Sequence, residues 1–162
     1  MTNFLEKLFI SELKMIMDVR MTALDFKSYG FALYTISKNN YYQDKSYIID
    51  LYNNGIKLIN TLHKYDILYE NDKIHKWLNL FIKHFNPISN SLHIIDTNGY
   101  LNSNETEKLF IEIKRCTKLL EIVKTYLPKP SNIICKTIGL LGIGYIIGQF
   151  IQVGSFISAL FE

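Results

Sequence analysis

The feature that most constrains this chain is a run of twenty-five residues, from Thr137 to Phe161, that contains no Lys, Arg, Asp, Glu, His or Pro. At a helical rise of about 1.5 Å per residue, such a run can cross a hydrocarbon core of about 30 Å. Its five glycines would each weaken a helix in water by about 1 kcal/mol relative to alanine. In lipid the backbone must bond to itself, and glycine allows a second helix to approach closely. We therefore predict that residues 137–161 form a membrane-spanning helix.

One side of this predicted helix is small and polar. Gly144 and Gly148 have the GxxxG spacing that is typical of contacts between membrane helices. Gln149 and Gln152 would be costly in hydrocarbon without a partner. Ser155 continues the same side, whereas Ile, Val and Phe occupy the opposite one. We predict that these five residues mediate self-association or the docking of a partner helix.

Basic residues lie on the N-terminal side of the run. Lys124, Lys129 and Lys136 follow Glu121, and no further acid occurs before Glu162. Because basic residues flank membrane helices on their cytosolic side, this pattern predicts a tail-anchored protein at a membrane with its N-terminal domain in the cytosol. The first apolar stretch is broken by charges, so a signal peptide is not predicted.

Residues 1–127 show the 3.6-residue hydrophobic period of a helical bundle. The first two predicted helices lie between Thr2 or Asn3 and Lys38, and the pattern also permits them as one continuous helix. The third runs from a cap at Asp44 to about Tyr65, and its apolar positions are Ile48, Leu51, Tyr52, Gly55, Leu58, Ile59 and Leu62. The fourth is capped by Asn71 or Asp72 and ends at Pro87, and the fifth is capped by Ser103 or Asn104 and ends before Pro128. The buried side of the fifth helix is predicted to be formed by Leu109, Ile113, Cys116, Leu120, Val123 and Leu127. The stretch between the last two is predicted to be irregular, with a turn at Asp-Thr-Asn-Gly and a short hairpin.

The fold prediction is therefore an all-α bundle of about five amphipathic helices followed by a C-terminal hydrophobic, transmembrane helix. The domain boundaries follow from the same patterns: a bundle domain at 1–127, a Pro/Lys hinge at 128–136 and the membrane-spanning helix at 137–161. Trp77 has helical spacing among Leu and Phe and is predicted to be a core residue.

Composition excludes several classes of protein. The 162 residues are 48% hydrophobic, which is enough to bury a core in one domain. The net charge of +3 is small and scattered, so nucleic acid is not predicted as a partner. Only Cys116 and Cys135 are present, which favours a reducing compartment over a disulfide framework.

No motif for catalysis, metal binding or nucleotide binding is found. The four histidines lack HExxH spacing and a cysteine partner arranged for zinc. The stretch around Gly99 approximates an EF-hand loop, but its first ligand position falls on Ile94, where a carboxylate is needed. Cys116 lies on the apolar side of a helix, which is typical of an inert thiol. We predict a protein without cofactor or metal that acts by binding and not as an enzyme.

Three hypotheses for its function remain open. The chain is a membrane-associated protein that assembles through its tail as an effector, a pore-forming element or a subunit of a membrane complex. Alternatively, it is a tail-anchored module that captures the amphipathic helix of a partner in a groove. In the third hypothesis it is a soluble bundle with the glycine-rich helix as its core.

The second hypothesis rests on a layout that resembles that of viral Bcl-2-like apoptosis regulators, which are small helical bundles with a hydrophobic tail. The resemblance covers size and order alone. The Asn-Trp-Gly-Arg signature of that family is not found, and Trp77 is followed by Leu78. No functional residue is therefore carried over from it.

Overall fold

The computed structural model describes residues 2–37 and 45–141, with the side chains of 7–37, 45–136 and 139. Within these ranges the chain is helical and contains no strand. The helices are α1 (Thr2–Ile36), α2 (Ser46–Tyr69), α3 (Asp72–Asn98), α4 (Ser103–Tyr126) and α5 (Pro130–Leu141). The predicted helical bundle is confirmed.

Two compact units make up the chain. One unit contains Met1–Val19 and Leu127–Glu162, and the other contains Arg20–Tyr126. In the first unit, the described part buries Met15, Ile16, Met17, Val19, Leu127 and Ile133.

The unit Arg20–Tyr126 is a four-helix bundle made of the C-terminal part of α1 with α2, α3 and α4. In each pair of neighbouring helices, a residue near the start of one helix contacts a residue near the end of the other. The contacts are Lys45–Asp96 and Gly55–Phe85 between α2 with its N-cap and α3, His84–Glu112 and Trp77–Tyr126 between α3 and α4, and Arg20–Lys124 and Tyr34–Phe110 between α1 and α4. Successive helices are therefore antiparallel, which is the up-down-up-down arrangement.

Aromatic side chains fill the centre of this bundle. Phe26, Phe81 and Phe85 are at most 1% exposed. The ring centroid of Phe81 lies 5.8 Å from that of Phe26 and also 5.8 Å from that of Phe85. The Phe85 ring packs directly on the backbone of Gly55, where a Cβ atom would overlap it. Glycine at this position therefore lets α2 approach α3 closely.

The predicted buried sides of α2 and α4 are largely confirmed. In α4 the predicted residues Leu109, Ile113, Cys116, Leu120 and Val123 are buried, and Leu127, which follows the last residue of the helix, is buried as well. In α2, Ile48, Leu51, Gly55, Leu58 and Leu62 are buried, whereas Tyr52 is exposed and Ile59 is half-buried. The helix continues one turn past Tyr65 to Tyr69. The two N-terminal segments form the single helix α1, as the pattern permits.

The prediction that Pro87 ends the fourth helix is wrong. α3 continues to Asn98 with Pro87 inside it. Pro87 is on the exposed side, where the carbonyl that loses its hydrogen bond can reach water. Ile88, Leu92 and Ile95 continue the buried stripe beyond it, and burial of this stripe outweighs the local cost of proline.

The predicted hairpin in this region is also wrong, because the Asp-Thr-Asn-Gly sequence forms the end of α3. Gly99 adopts a left-handed conformation with φ +80° and caps the helix through its N–H on the Ile95 carbonyl. The cap of α4 lies one residue before the predicted position. Asn102 and Glu105 cap it reciprocally, each side chain accepting the N–H of the other residue.

The segment 128–136, for which the sequence predicts a hinge, contains the start of α5 at Pro130. The first residues of the predicted membrane helix, 137–141, belong to the same α5, and residues 142–161 lie outside the described residues. Among the helices that are described, none is both long enough and apolar enough to cross a bilayer.

Candidate functional site

The residues predicted to mediate helix association, Gly144, Gly148, Gln149, Gln152 and Ser155, lie outside the described residues. The basic residues predicted to flank the membrane are described, and they differ from one another. Lys129 and Lys136 are exposed.

The third basic residue of the predicted flank is engaged within the bundle. The Lys124 side chain is only 15% exposed, and its ammonium donates to Glu121 Oε1 at 3.1 Å. Its carbonyl accepts a hydrogen bond from the Arg20 guanidinium at 3.5 Å. Lys124 therefore contributes to contacts within the bundle, unlike Lys129 and Lys136.

One end of the four-helix bundle carries a surface that combines aliphatic, aromatic and basic side chains. We call it the bundle-end surface and define it by Ile67, Leu68, Lys73, Lys76, Trp77 and Tyr126. The antiparallel topology brings these residues to one end, because they occupy the end of α2, the first two turns of α3 and the last residue of α4.

A two-residue turn joins the helices at this end. Glu70 takes a left-handed conformation with φ 45° and ends α2. Asn71 then begins α3, since its side-chain oxygen accepts the Ile74 N–H at 3.1 Å. The predicted cap at this position is confirmed. The short turn fixes the last turn of α2 beside the first turn of α3.

Side-chain hydrogen bonds fasten the same turn. His75 Nδ1 lies 2.7 Å from Asp66 Oδ2, and His75 Nε2 lies 3.2 Å from Asn79 Nδ2. This geometry fits an imidazole that donates to Asp66 and accepts from Asn79. Both ring nitrogens are engaged, so His75 acts here as a link between α2 and α3.

The aromatic part of the bundle-end surface is a stacked pair with cations beside it. The ring centroids of Trp77 and Tyr126 lie 6.3 Å apart, and the angle between the ring planes is 17°. Lys73 Nζ is 5.2 Å from the Tyr126 ring centroid, and Lys76 Nζ is 5.8 Å from that of Trp77. Both distances are in the range of cation–π attraction.

Trp77 is half-buried, which corrects the prediction that it is a core residue. Its position on α3 faces the flank next to α4 and not the bundle axis, where Leu78 and Phe81 are buried instead. The tryptophan therefore combines an apolar contact within the protein with a face open to the surroundings.

The aliphatic part of the bundle-end surface is strongly exposed. Ile67 is 63% exposed and Leu68 is 51% exposed. The acidic residues Glu70 and Asp72 are exposed next to them, so the charges of this surface are mixed. It can contact an apolar or interfacial medium, and its acids balance much of the attraction that the lysines would exert on anions.

A second candidate site is a groove on the outer side of α2 and α3, of about 360 Å³. Its lining residues are Ile48, Ile49, Tyr52, Ser89, Asn90, Leu92, His93 and Asp96. Ile49 and Tyr52 are the exposed apolar residues of this lining, and exposed Ile56 lies about one turn further along α2 at helical spacing. This pattern is suitable for contact with a second helix.

A polar cluster connects α3 and α4 near the middle of the bundle. His84 Nδ1 lies 2.6 Å from Glu112 Oε2, and Arg115 Nη1 donates to Glu112 Oε1 at 2.5 Å. Glu112 is only 17% exposed, so this pairing compensates its partial burial.

The buried environment of the neighbouring Cys116 makes its thiol unreactive. Burial, with a smaller contribution from the negative charge of Glu112, raises the pKa of Cys116 to about 12. The nucleophilic thiolate is therefore almost absent near neutral pH. Cys135, in contrast, is exposed.

Within the part of the chain that the structure describes, no three His, Cys, Asp or Glu side chains gather closely enough to hold a metal ion. Compared with known proteins, the chain matches no protein-family model, no curated protein and no solved structure.

Sequence reasoning missed the bundle-end surface because it assigned Ile67 and Leu68 to a connection. Both residues fall out of phase with the buried stripe that ends at Leu58, Leu62 and Tyr65. Two aliphatic residues outside that phase, next to a helix cap, are the signal that could have indicated an exposed apolar end.

Proposed function

We propose that this chain is a membrane-associated helical protein that acts by assembly through its C-terminal hydrophobic helix and not by catalysis. One observation carries the proposal: the run 137–161 contains no charged residue, no histidine and no proline. In water, so long an apolar segment would need to be covered on all sides, whereas a bilayer supplies that cover without further protein.

Two of the three residues of the predicted basic flank support this proposal. Lys129 and Lys136 are exposed and precede the run, whereas Lys124 is paired within the bundle. Two exposed ammonium groups at this position suit the negatively charged cytosolic side of a membrane. The four-helix unit would then lie in the cytosol.

The polar side of the run supports assembly. Gly144 and Gly148 would allow close approach of two helices, and Gln149, Gln152 and Ser155 would form hydrogen bonds between them. Such an assembly would serve an effector, a pore-forming element or a subunit of a membrane complex.

Two experiments with the full chain test the proposal. The first is carbonate extraction of membranes from cells that express it, in which we expect the protein in the pellet. Ile147→Lys places a charge at the centre of the run, which costs insertion about 2.5–3.5 kcal/mol, and should move the protein to the supernatant. Release of the unmodified chain would instead favour a soluble bundle with this helix as its core.

The second experiment is chemical cross-linking in detergent. Gly148→Leu should abolish the cross-linked oligomer, because leucine prevents close approach on the predicted contact side. Gly154→Leu is the matched control, since Gly154 lies off that side, and it should leave the oligomer intact. Equal oligomer in both variants would contradict assembly through this contact.

A second candidate function is the capture of a partner's amphipathic helix, and the outer groove of α2 and α3 favours it. Exposed Ile49 and Tyr52 would receive the apolar face of the partner. A chain that stays monomeric at the membrane, binds a helical peptide and loses that binding with Ile49→Glu would favour capture over tail assembly.

A further inference from the structure

The bundle-end surface is the end of the four-helix bundle from which the chain continues toward the apolar run. Tyr126, the last residue of α4, is separated from Thr137 by only about ten residues. The opposite end of α4 begins at Ser103, a further 24-residue helix away in the chain. If the run enters a bilayer, Tyr126 is thus held within a short length of chain from the point of entry.

The residues at this end have the chemistry of a membrane interface. Tryptophan and tyrosine concentrate at the headgroup level of bilayers because they join an apolar ring to a polar group. Trp77 and Tyr126 are stacked and half-buried, and each has a lysine ammonium within 6 Å of its ring centroid. Lysine can extend its charged group toward headgroups while its methylene chain stays in apolar surroundings.

Two exposed aliphatic residues at the same end would add apolar contact. Ile67 and Leu68 are more than half exposed, and both lie in the last turn of α2. Their transfer into the interfacial region would remove apolar surface from water. Because exposed Glu70 and Asp72 accompany the lysines, the contact would depend on apolar and aromatic groups more than on charge.

We propose that the bundle-end surface docks on the headgroup region of the bilayer, with Trp77 and Tyr126 at the interface and with Ile67 and Leu68 inserted beside them. This inference rests on the proposed membrane function, and it adds that the four-helix unit itself touches the lipid. The four-helix unit would then have a contact of its own with the membrane, in addition to the proposed membrane-spanning helix.

Trp77 is the only tryptophan of the chain, so its fluorescence reports on this surface alone. The full chain would be reconstituted in phosphatidylcholine vesicles, with and without bromine on the acyl chains, and separated by flotation. We expect the protein to float, the Trp77 emission to shift to shorter wavelength, and bromine to reduce its intensity. The quenching should persist at high salt, because the contact is mainly apolar.

The matched variants separate this docking from insertion of the tail. Ile67→Asn with Leu68→Asn should reduce the quenching while flotation is retained. Ile111→Asn is the control, since Ile111 is 42% exposed on α4 and lies fifteen residues before Tyr126, and it should leave the quenching unchanged. Circular dichroism would verify that all variants keep their helical content.

The outcomes distinguish the two proposals. Flotation without any quenching of Trp77 would overturn the docking surface and leave the membrane function standing. Absence of flotation would overturn the membrane function, and the docking with it. An emission shift that depends on protein concentration and not on brominated lipid would assign the surface to a second copy of the chain, which also overturns lipid docking.

Discussion

The bundle contains two aromatic clusters of similar chemistry and opposite exposure. At the centre, Phe26, Phe81 and Phe85 are almost completely buried and contact one another. At one end, the rings of Trp77 and Tyr126 stack while each remains partly exposed with a lysine beside it. Both clusters join residues that are far apart in the sequence.

The difference shows which aromatic residues stabilise the fold and which remain available for binding. A buried ring contributes through the apolar area removed from water and through close packing. A half-exposed ring contributes less to the fold and keeps a surface for another molecule. The expected effects of substitution therefore decrease from the centre to the end of the bundle.

The largest effect is expected at the centre. Phe81→Ala should lower the free energy of unfolding by about 3–5 kcal/mol, because it removes a buried ring and leaves a cavity. Urea denaturation followed by circular dichroism measures this loss. Leu68→Ala, at the exposed end, should cost less than about 0.5 kcal/mol. A similar cost for both variants would remove the distinction between the two regions.

A second contrast concerns the thiols. Since the pKa of Cys116 is raised from 9.0 to about 12, its thiolate fraction near pH 8 is about a thousand times lower than that of an ordinary cysteine. Mass spectrometry after brief alkylation of the native protein should find the label on Cys135 alone. Labelling of Cys116 at a comparable rate would show that the centre of α4 is accessible, whereas unfolded protein should be labelled at both.

An intermediate effect is expected at the close approach of α2 and α3. Gly55→Ala should destabilise the bundle by about 1–3 kcal/mol, since the new methyl group overlaps the buried Phe85 ring. Gly30→Ala is the comparison, because its Cβ would meet a single atom, the Cγ2 methyl of Ile113, at 2.7 Å. One methyl group needs a smaller displacement than a buried ring that the new Cβ would overlap at three atoms, so thermal denaturation should show a smaller loss for Gly30→Ala.

The smallest effect on stability is expected at the bundle-end surface. Ile67→Asn should change the free energy of unfolding by no more than about 0.5 kcal/mol, because the side chain is already mostly in water. The measurement is again urea denaturation. A large loss would show that Ile67 supports the fold, and it would weaken the case for a surface available to lipid.

The hydrophobic period of the sequence was sufficient to predict the buried residues of a helix where one face of that helix is apolar along its whole length. The buried stripe of α4 could be predicted completely, since Leu109, Ile113 and Cys116 recur at the helical period and the pattern continues to Val123. The cap at Asn71 could be predicted for a similarly local reason, because its side chain bonds to a backbone N–H three residues later.

Local signals failed at Pro87 for a reason that lies elsewhere in the chain. Proline removes one backbone hydrogen bond and favours a helix end. In the bundle, Ile88 and Leu92 gain burial only if α3 continues along α2 and α4, and this gain exceeds the loss. The outcome depended on neighbours that the local sequence does not contain.

The sequence by itself determined that residues 2–37 and 45–141 are mainly helical, which faces of α2 and α4 are buried, and that an uncharged run follows them. These properties depend on residues within a few turns of one another. The tertiary structure decided that Pro87 lies inside a helix, that Trp77 is at the surface, and that Ile67 and Leu68 share an end with Tyr126. Those results depend on which helices pack against one another. The packing is determined by residues that are far apart in the chain, because together they bury apolar surface area.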